Sequence, residues 1–327
     1  MSQPQQPVLI VDCMNLFVRA YSAFPTMSAH GYQMGGAIGF LKTLRRLVME
    51  QQPSAVYLAW EGGGSQRRRS LYADYKMNRR PEKLNRFYGD DIPDTDDNKK
   101  HQLISLLAML KCVPVCQVYT SDCEGDDVIA YLSCGPLKSV AKVIASSDKD
   151  LYQLLGDGTK VYSFHKKTYV TEEDVLSEFR VTAHNFAIAK ALCGDPGDNV
   201  PGIKGLGFKT VAKLYPFLGT EQHVLLQDVI DYAAAHSDES VIHRRVVEQQ
   251  EDLQRNWKLV YLDGSMLSAH QQSQVDNVLS TSRPRVDRIG LVKQLVKEGI
   301  GDFDVEGFFY TFNVIHGLEH KTSEETK

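Results

Sequence analysis

Nine acidic side chains in this sequence stand in patterns that suit hard-metal chemistry. Glu124, Asp126 and Asp127 fall within four residues, Asp148 and Asp150 are two apart, and Asp195 and Asp198 are three apart in Gly194-Asp195-Pro196-Gly197-Asp198-Asn199. Asp12 and Glu61 each follow a short apolar run. Carboxylates gathered into one cleft repel each other and take up protons, at about 1.4 kcal/mol per pH unit of pKa, unless cations neutralise them. An all-oxygen donor set suits Mg²⁺ or Mn²⁺. Two such ions roughly 3.5 to 4 Å apart activate water and steady both oxygens of an in-line phosphoryl displacement, so phosphodiester hydrolysis is the leading reaction. Any one of these acids taken singly is better explained as a helix cap than as a ligand, Glu124 included. Their repeated pairing after strands carries the metal reading.

The elements that must position them alternate. Val8 to Val11, Ala55 to Ala59, Val113 to Val118, Val143 to Ala145 and Lys160 to Phe164 read as strands, while Gly35 to Met49, Gln102 to Leu110 and Asp126 to Leu132 have helical spacing. This βα alternation predicts an α/β fold with a mostly parallel sheet covered by helices. Ligands of such sheets bind beyond the carboxyl ends of the strands, where Asp12, Glu61 and Asp148 stand. From about Thr171 the pattern is helical with glycine-rich interruptions and no convincing strand. The expected division is a nuclease-type domain over 1–170, a helical region over 171–318 and a disordered tail over 319–327.

A net charge of −4 and a pI near 6.2 do not mark a nucleic-acid binder by themselves. The charge is segregated, however: residues 61–88 hold eight basic side chains against three acidic ones, followed by Asp90, Asp91, Asp94, Asp96 and Asp97. The stretch 62–100 is too polar for sheet core and is read as a partly helical element over the site. The six cysteines show no paired spacing, so reduced, mostly buried thiols are expected. His30, His165 and His243 lack metal-like spacing and are expected at the surface. No leader or membrane-spanning segment is apparent, which predicts a soluble cytoplasmic protein.

Six motifs now stand in order: Asp12-Cys13-Met14-Asn15-Leu16-Phe17-Val18-Arg19-Ala20, Tyr75-Lys76-Met77-Asn78-Arg79, Glu124-Gly125-Asp126-Asp127, Ser147-Asp148-Lys149-Asp150-Leu151, the Gly194 to Asn199 turn, and Gly202-Ile203-Lys204-Gly205-Leu206-Gly207. Over about residues 8 to 265 the chain resembles the 5′-3′ exonuclease and flap endonuclease family, which includes bacteriophage 5′-nucleases and the 5′-nuclease domain of bacterial DNA polymerase I. The resemblance implies a PIN-like sheet, an arch over 62–100 and a helix-three-turn-helix element over about 186–220. It implies that Asp12, Glu61, Glu124, Asp126, Asp127, Asp148, Asp150, Asp195 and Asp198 hold two Mg²⁺ or Mn²⁺ ions, with a transient third as a variant. The provisional split puts Asp12, Glu61, Glu124 and Asp126 around one ion and Asp148, Asp150, Asp195 and Asp198 nearer the other. The chain departs from the family where Glu61 replaces the usual Asp and Gly125 the usual Ala.

Lys76 and Arg79, three apart, would share a helix face aimed at the scissile phosphate. The resemblance gives them that role, with Tyr75 stacking on an unpaired base. Arg67 to Arg69 read evenly as a solvated face or a DNA contact, and Arg69 and Arg80 are carried as DNA-binding candidates. The Gly202 to Gly207 turn, before a helix starting near Lys209, would grip a duplex arm. There Gly202, Lys204, Gly205 and Gly207 offer backbone with a K⁺ ion, and Lys209 and Lys213 add charge. The expected partner is branched or 5′-ended DNA, with RNA/DNA hybrid and replication proteins as further partners of a free-standing monomer. Two rival readings are a branch-DNA binding module weakened at Glu61 and Gly125, and a PIN-type RNA endonuclease.

Overall fold

The computed structural model describes residues 6–78, 96–156 and 158–315. Six strands form one sheet: β1 (Val8–Asp12), β2 (Ala55–Ala59), β3 (Cys116–Val118), β4 (Lys142–Ala145), β5 (Thr159–Ser163) and β6 (Thr168–Val170). Their order is β3-β2-β1-β4-β5-β6, parallel throughout except that β6 runs antiparallel to β5. Every residue of β1 is buried. Alternation along an extended chain sends Val8 and Ile10 into one core and Leu9 and Val11 into the other.

Helices α1 (Cys13–Ala23), α2 (Gly35–Gln51), α3 (Gln66–Leu71), α4 (Asp96–Leu110) and α5 (Gly125–Cys134) fall between the strands. After the sheet come α6 (Glu172–Phe179), α7 (Phe186–Cys193), α8 (Phe208–Leu214), α9 (Leu226–Ala235), α10 (Val241–Glu248) and α11 (Gln250–Val260). The chain ends with α12 (Ala269–Thr281), α13 (Arg288–Lys297) and α14 (Val305–Thr311). The core containing Val8 and Ile10 runs on through α5 into α7, α8 and α9, so the C-terminal helices share a core with the sheet. The last three helices return to the first half. Gln274 of α12 accepts from Thr120 beyond β3, Glu298 after α13 accepts from Ser105 of α4, and Asp304 before α14 pairs with Arg45 of α2.

The βα alternation and the helical character after Thr171 match the expectation, with refinements of physical origin. Strand β3 begins only at Cys116, because the chain turns through Cys112 to Val115 and Pro114 offers no ladder N–H. Strand β6 is too short for alternation to reveal. Helix α1, unanticipated, is capped by Asp12 accepting from Asn15 N–H at 3.1 Å and buries Leu16, Phe17, Ala20 and Tyr21. The expected helix face shared by Lys76 and Arg79 is corrected. Residues 73–78 form turns, and Lys76 has φ +60°, held by its N–H donating to the Asp198 carbonyl at 2.9 Å. Arg79, Arg80, Asp90, Asp91, Asp94 and the tail over 319–327 lie outside the described residues. His243, expected at the surface, is 4% exposed and pairs through Nδ1 with the Tyr215 hydroxyl at 3.1 Å.

Candidate metal and nucleic-acid site

The sheet changes winding direction between β1 and β4, and the crevice beyond their carboxyl ends is where such sheets bind ligands. Across it the Ser146 hydroxyl donates to Asp12 Oδ2 at 2.7 Å and accepts from Asp148 N–H at 3.0 Å. A cleft of about 280 Å³ opens there, lined by Asp12, Glu61, Asp126 and Asp148 with Lys76, Asn15, Met14 and Val18. Burial, with Asp126 and Asp148 adding repulsion, pushes Asp12 up to about 7. Burial and Asp126 also raise Asp148. Four carboxylates facing one cleft, two held above their ordinary range, fit a hard divalent cation by donor chemistry and by charge. Among the described residues no three of them already surround a common point, so side-chain rotation must complete any coordination sphere.

The remaining acids occupy two flanking groups. Glu124, immediately before α5, is 2.7 Å from Lys76 Nζ, 3.2 Å from Arg68 Nη1, and accepts from the Tyr75 hydroxyl at 3.1 Å. The same hydroxyl reaches Asp198 Oδ2 at 3.3 Å. Asp150 pairs with Lys190, which also lies 2.8 Å from Asp195 Oδ2. Burial drives Asp150 up to about 7 despite Lys190. Asp195 goes the other way: burial opposes ionisation, but Lys190 and the N–H groups of Gly197 and Asp198 hold it below the usual range. Asp148 thus lines the cleft beside Asp12, Glu61 and Asp126, while Glu124 and Asp198 share the Tyr75 hydroxyl.

Two candidates face inward. Tyr75 is only 7% exposed, and its hydroxyl meets Glu124 and Asp198. Asp127 receives Arg68 through both oxygens at 2.7 Å and accepts Glu124 N–H at 3.0 Å. Sequence reasoning missed Lys190, Ser146 and Asn15. Lys190 had a readable signal in standing five residues before Asp195, whereas the serine and asparagine had none.

On the basic side, Arg67 and Arg69 are exposed while Arg68 between them is buried. Gly194 and Gly202 touch backbone to backbone: a Cβ on Gly202 would stand 2.0 Å from the Cys193 carbonyl oxygen, which only glycine avoids. Gly205 takes φ +96°, and Arg245 steadies the turn by donating to the Lys204 carbonyl at 2.8 Å. Lys204, Gly205, Gly207, Lys209 and Lys213 are all exposed along this turn and α8, which starts at Phe208. A Cβ on Gly207 would meet nothing within 4 Å, so nothing within the fold demands glycine there.

Residues 7–180 match the family model described as 5′-3′ exonuclease, N-terminal resolvase-like domain. The chain is similar to a 5′-3′ exonuclease of Aquifex aeolicus, 30% identical over 66% of this chain and 71% of that protein. It is also similar to the thermostable DNA polymerase I of Thermus aquaticus, 27% identical over 79% of this chain but only 28% of the polymerase. In fold it is similar to the bacteriophage T5 flap endonuclease solved in a complex with DNA and metal ions, with TM-score 0.62 and 19% identity over 94% of this chain and 99% of that one. The chain belongs to the 5′-3′ exonuclease family.

Proposed function

We propose that this chain hydrolyses DNA phosphodiester bonds at 5′ ends and flaps, with Mg²⁺ or Mn²⁺ held by Asp12, Glu61, Asp126 and Asp148. The observation that carries the proposal is the cleft at the β1/β4 switch, where those four carboxylates face Lys76. Glu124 and Asp198 on one side, and Asp150 and Asp195 on the other, complete the oxygen-donor set. The bound cations supply Lewis-acid activation of water and neutralise phosphate charge.

The protein's own groups do the rest. Burial works against the charge on Lys76, but Asp126, Glu124 and Asp198 outweigh it and hold its pKa above the ordinary lysine value, so the ammonium stays charged at neutral pH. It can exchange Glu124 for a phosphate oxygen as negative charge grows in the transition state. The Ser146 hydroxyl and Asn15 N–H fix the two oxygens of Asp12. Met14 and Val18 give the same cleft an apolar lip. The turn from Gly202 to Gly207, with Lys204, Lys209 and Lys213, acts as the duplex grip, and its backbone would hold a K⁺ ion; Arg69 adds a phosphate contact.

The test is a 5′-flap duplex labelled at either end, incubated with Mg²⁺, Mn²⁺ or EDTA. Metal-dependent cuts near the junction are expected, and Asp148→Asn should abolish them while gel-shift affinity in EDTA stays unchanged. Intact DNA under both metals with binding retained would instead make the chain a branch-DNA binding module.

A further inference from the structure

We propose that Arg68 is a positioning residue for the divalent cation, setting the attitude of Glu124 from a buried place outside the cleft lining. The proposal rests on the reading that Glu124 serves the cation.

Arg68 sits in a run whose neighbours, Arg67 and Arg69, are exposed, yet it is 2% exposed itself. All three nitrogens of its planar guanidinium are engaged. Nη1 and Nη2 each donate to one oxygen of Asp127 at 2.7 Å, Nη1 is 3.2 Å from Glu124 Oε2, and Nε donates to the Leu259 carbonyl at 2.9 Å. Ser65 Oγ caps α3 by accepting from the Arg68 N–H at 3.2 Å, which fixes the backbone from which the side chain departs. One side chain thus joins three elements: α3, the start of α5 and the end of α11.

The charges show what this accomplishes. Arg68 and Lys76 together balance Asp127 and Glu124. With both Asp127 oxygens on the guanidinium, Arg68 neutralises Asp127, while Glu124 Oε2 meets Arg68 Nη1, Lys76 and the Tyr75 hydroxyl together. Asp127 in turn accepts the Glu124 N–H, so the fork orients the Glu124 backbone as well as its carboxylate. Beside this cluster, Tyr75 packs with Ala191, Val200, Leu259 and Val260 in a small core of its own. The turn carrying Lys76 is therefore clamped against α7 and α11, next to the carbonyl that Arg68 grips. A residue that merely neutralised Asp127 would need neither the fork geometry nor the bond to Leu259. Lysine supplies the charge without the fork.

The test is calorimetric titration of the DNA-free protein with Mn²⁺, for wild type, Arg68→Lys, Asp127→Asn, the double variant and Glu124→Gln. Arg68→Lys should bind Mn²⁺ about 10- to 100-fold more weakly, the usual cost of losing a group that orients a metal-binding side chain. Flap cleavage by this variant should return toward the wild-type rate at saturating Mn²⁺, with duplex affinity in EDTA unchanged. A lowered melting temperature with wild-type Mn²⁺ affinity would show a purely structural role and overturn the proposal. Asp127→Asn breaks the same fork while keeping the arginine, and it decides the matter should Arg68→Lys not fold. The double variant should be no weaker than the weaker single, and additive losses would mean that Asp127 meets the cation directly, which also overturns the proposal. Glu124→Gln separates the two layers of reasoning. If it binds Mn²⁺ like wild type, the reading of Glu124 itself fails; if it is weakened while Arg68→Lys is not, only the role of Arg68 fails.

Discussion

Replacing Asp12 with asparagine should make the metal-free protein more stable while it destroys activity. Asp12 is 9% exposed, and burial with repulsion from Asp126 and Asp148 lifts its pKa from 3.8 to about 7. At about 1.4 kcal/mol per pH unit, the ionised carboxylate costs the fold about 4 kcal/mol at pH 8. Asparagine keeps the acceptor for the Asn15 N–H, but its amide meets Ser146 Oγ as a donor, and the displaced serine hydrogen costs about 1 kcal/mol. The net gain should be roughly 1 to 3 kcal/mol once neighbouring side chains relax. The sign follows from proton binding. Between about pH 4 and 7 the native wild type holds a proton that its unfolded chain has lost, so wild-type stability rises as pH falls through that window. Asparagine lacks this term. Urea unfolding in EDTA should therefore favour Asp12→Asn clearly at pH 8, with the two proteins converging toward pH 4. A variant no more stable at pH 8, or a difference that ignores pH, would refute the reasoning.

Lys190→Met leaves Asp150 and Asp195 facing each other without their cation and should cost about 3 to 5 kcal/mol in EDTA, a loss that excess Mn²⁺ restores in melting experiments. Tyr75→Phe keeps the buried ring and deletes the hydroxyl shared by Glu124 and Asp198, so single-turnover cleavage should fall about tenfold with DNA affinity unchanged. Unimpaired cleavage by the Tyr75→Phe variant would show that the ring alone matters. Burial holds His243 below its ordinary 6.5, so the stability owed to its neutral ring is present above that pH and is lost as pH falls. Titration of the ring protons by NMR should show His243 protonating below its ordinary 6.5.

Much of this architecture could be read because strands buried on both faces write themselves as unbroken apolar runs. Val8 to Val11 and Ala55 to Ala59 fall within one residue of their final bounds, and the acids that follow them arrive at the cleft for the same reason. What stayed hidden depends on contacts between distant segments. Nothing in Arg67-Arg68-Arg69 says that the middle arginine turns inward, because its partners lie 59 and 191 residues away. Tyr75 in a basic stretch reads as a surface aromatic until α7 and α11 cover it. Lys76 reads as helical until the Asp198 carbonyl, 122 residues on, holds its backbone in the left-handed region.

The same reasoning changes the meaning of the two departures from the family pattern. Taken singly, Glu61 for Asp lengthens a ligand and Gly125 for Ala removes a methyl, and each looks like damage to a metal site. In space they are neighbours. A Cβ on Gly125 would stand 3.8 Å from Glu61 Cγ and 3.9 Å from Asp12 Oδ1, so the methyl that the family carries would occupy the flank along which the longer acid lies. The contact is at ordinary van der Waals distance: alanine would fit the present rotamer but would wall off one direction of Glu61 movement. The two departures thus share one flank of the cleft, with one added methylene facing the place of one methyl removed.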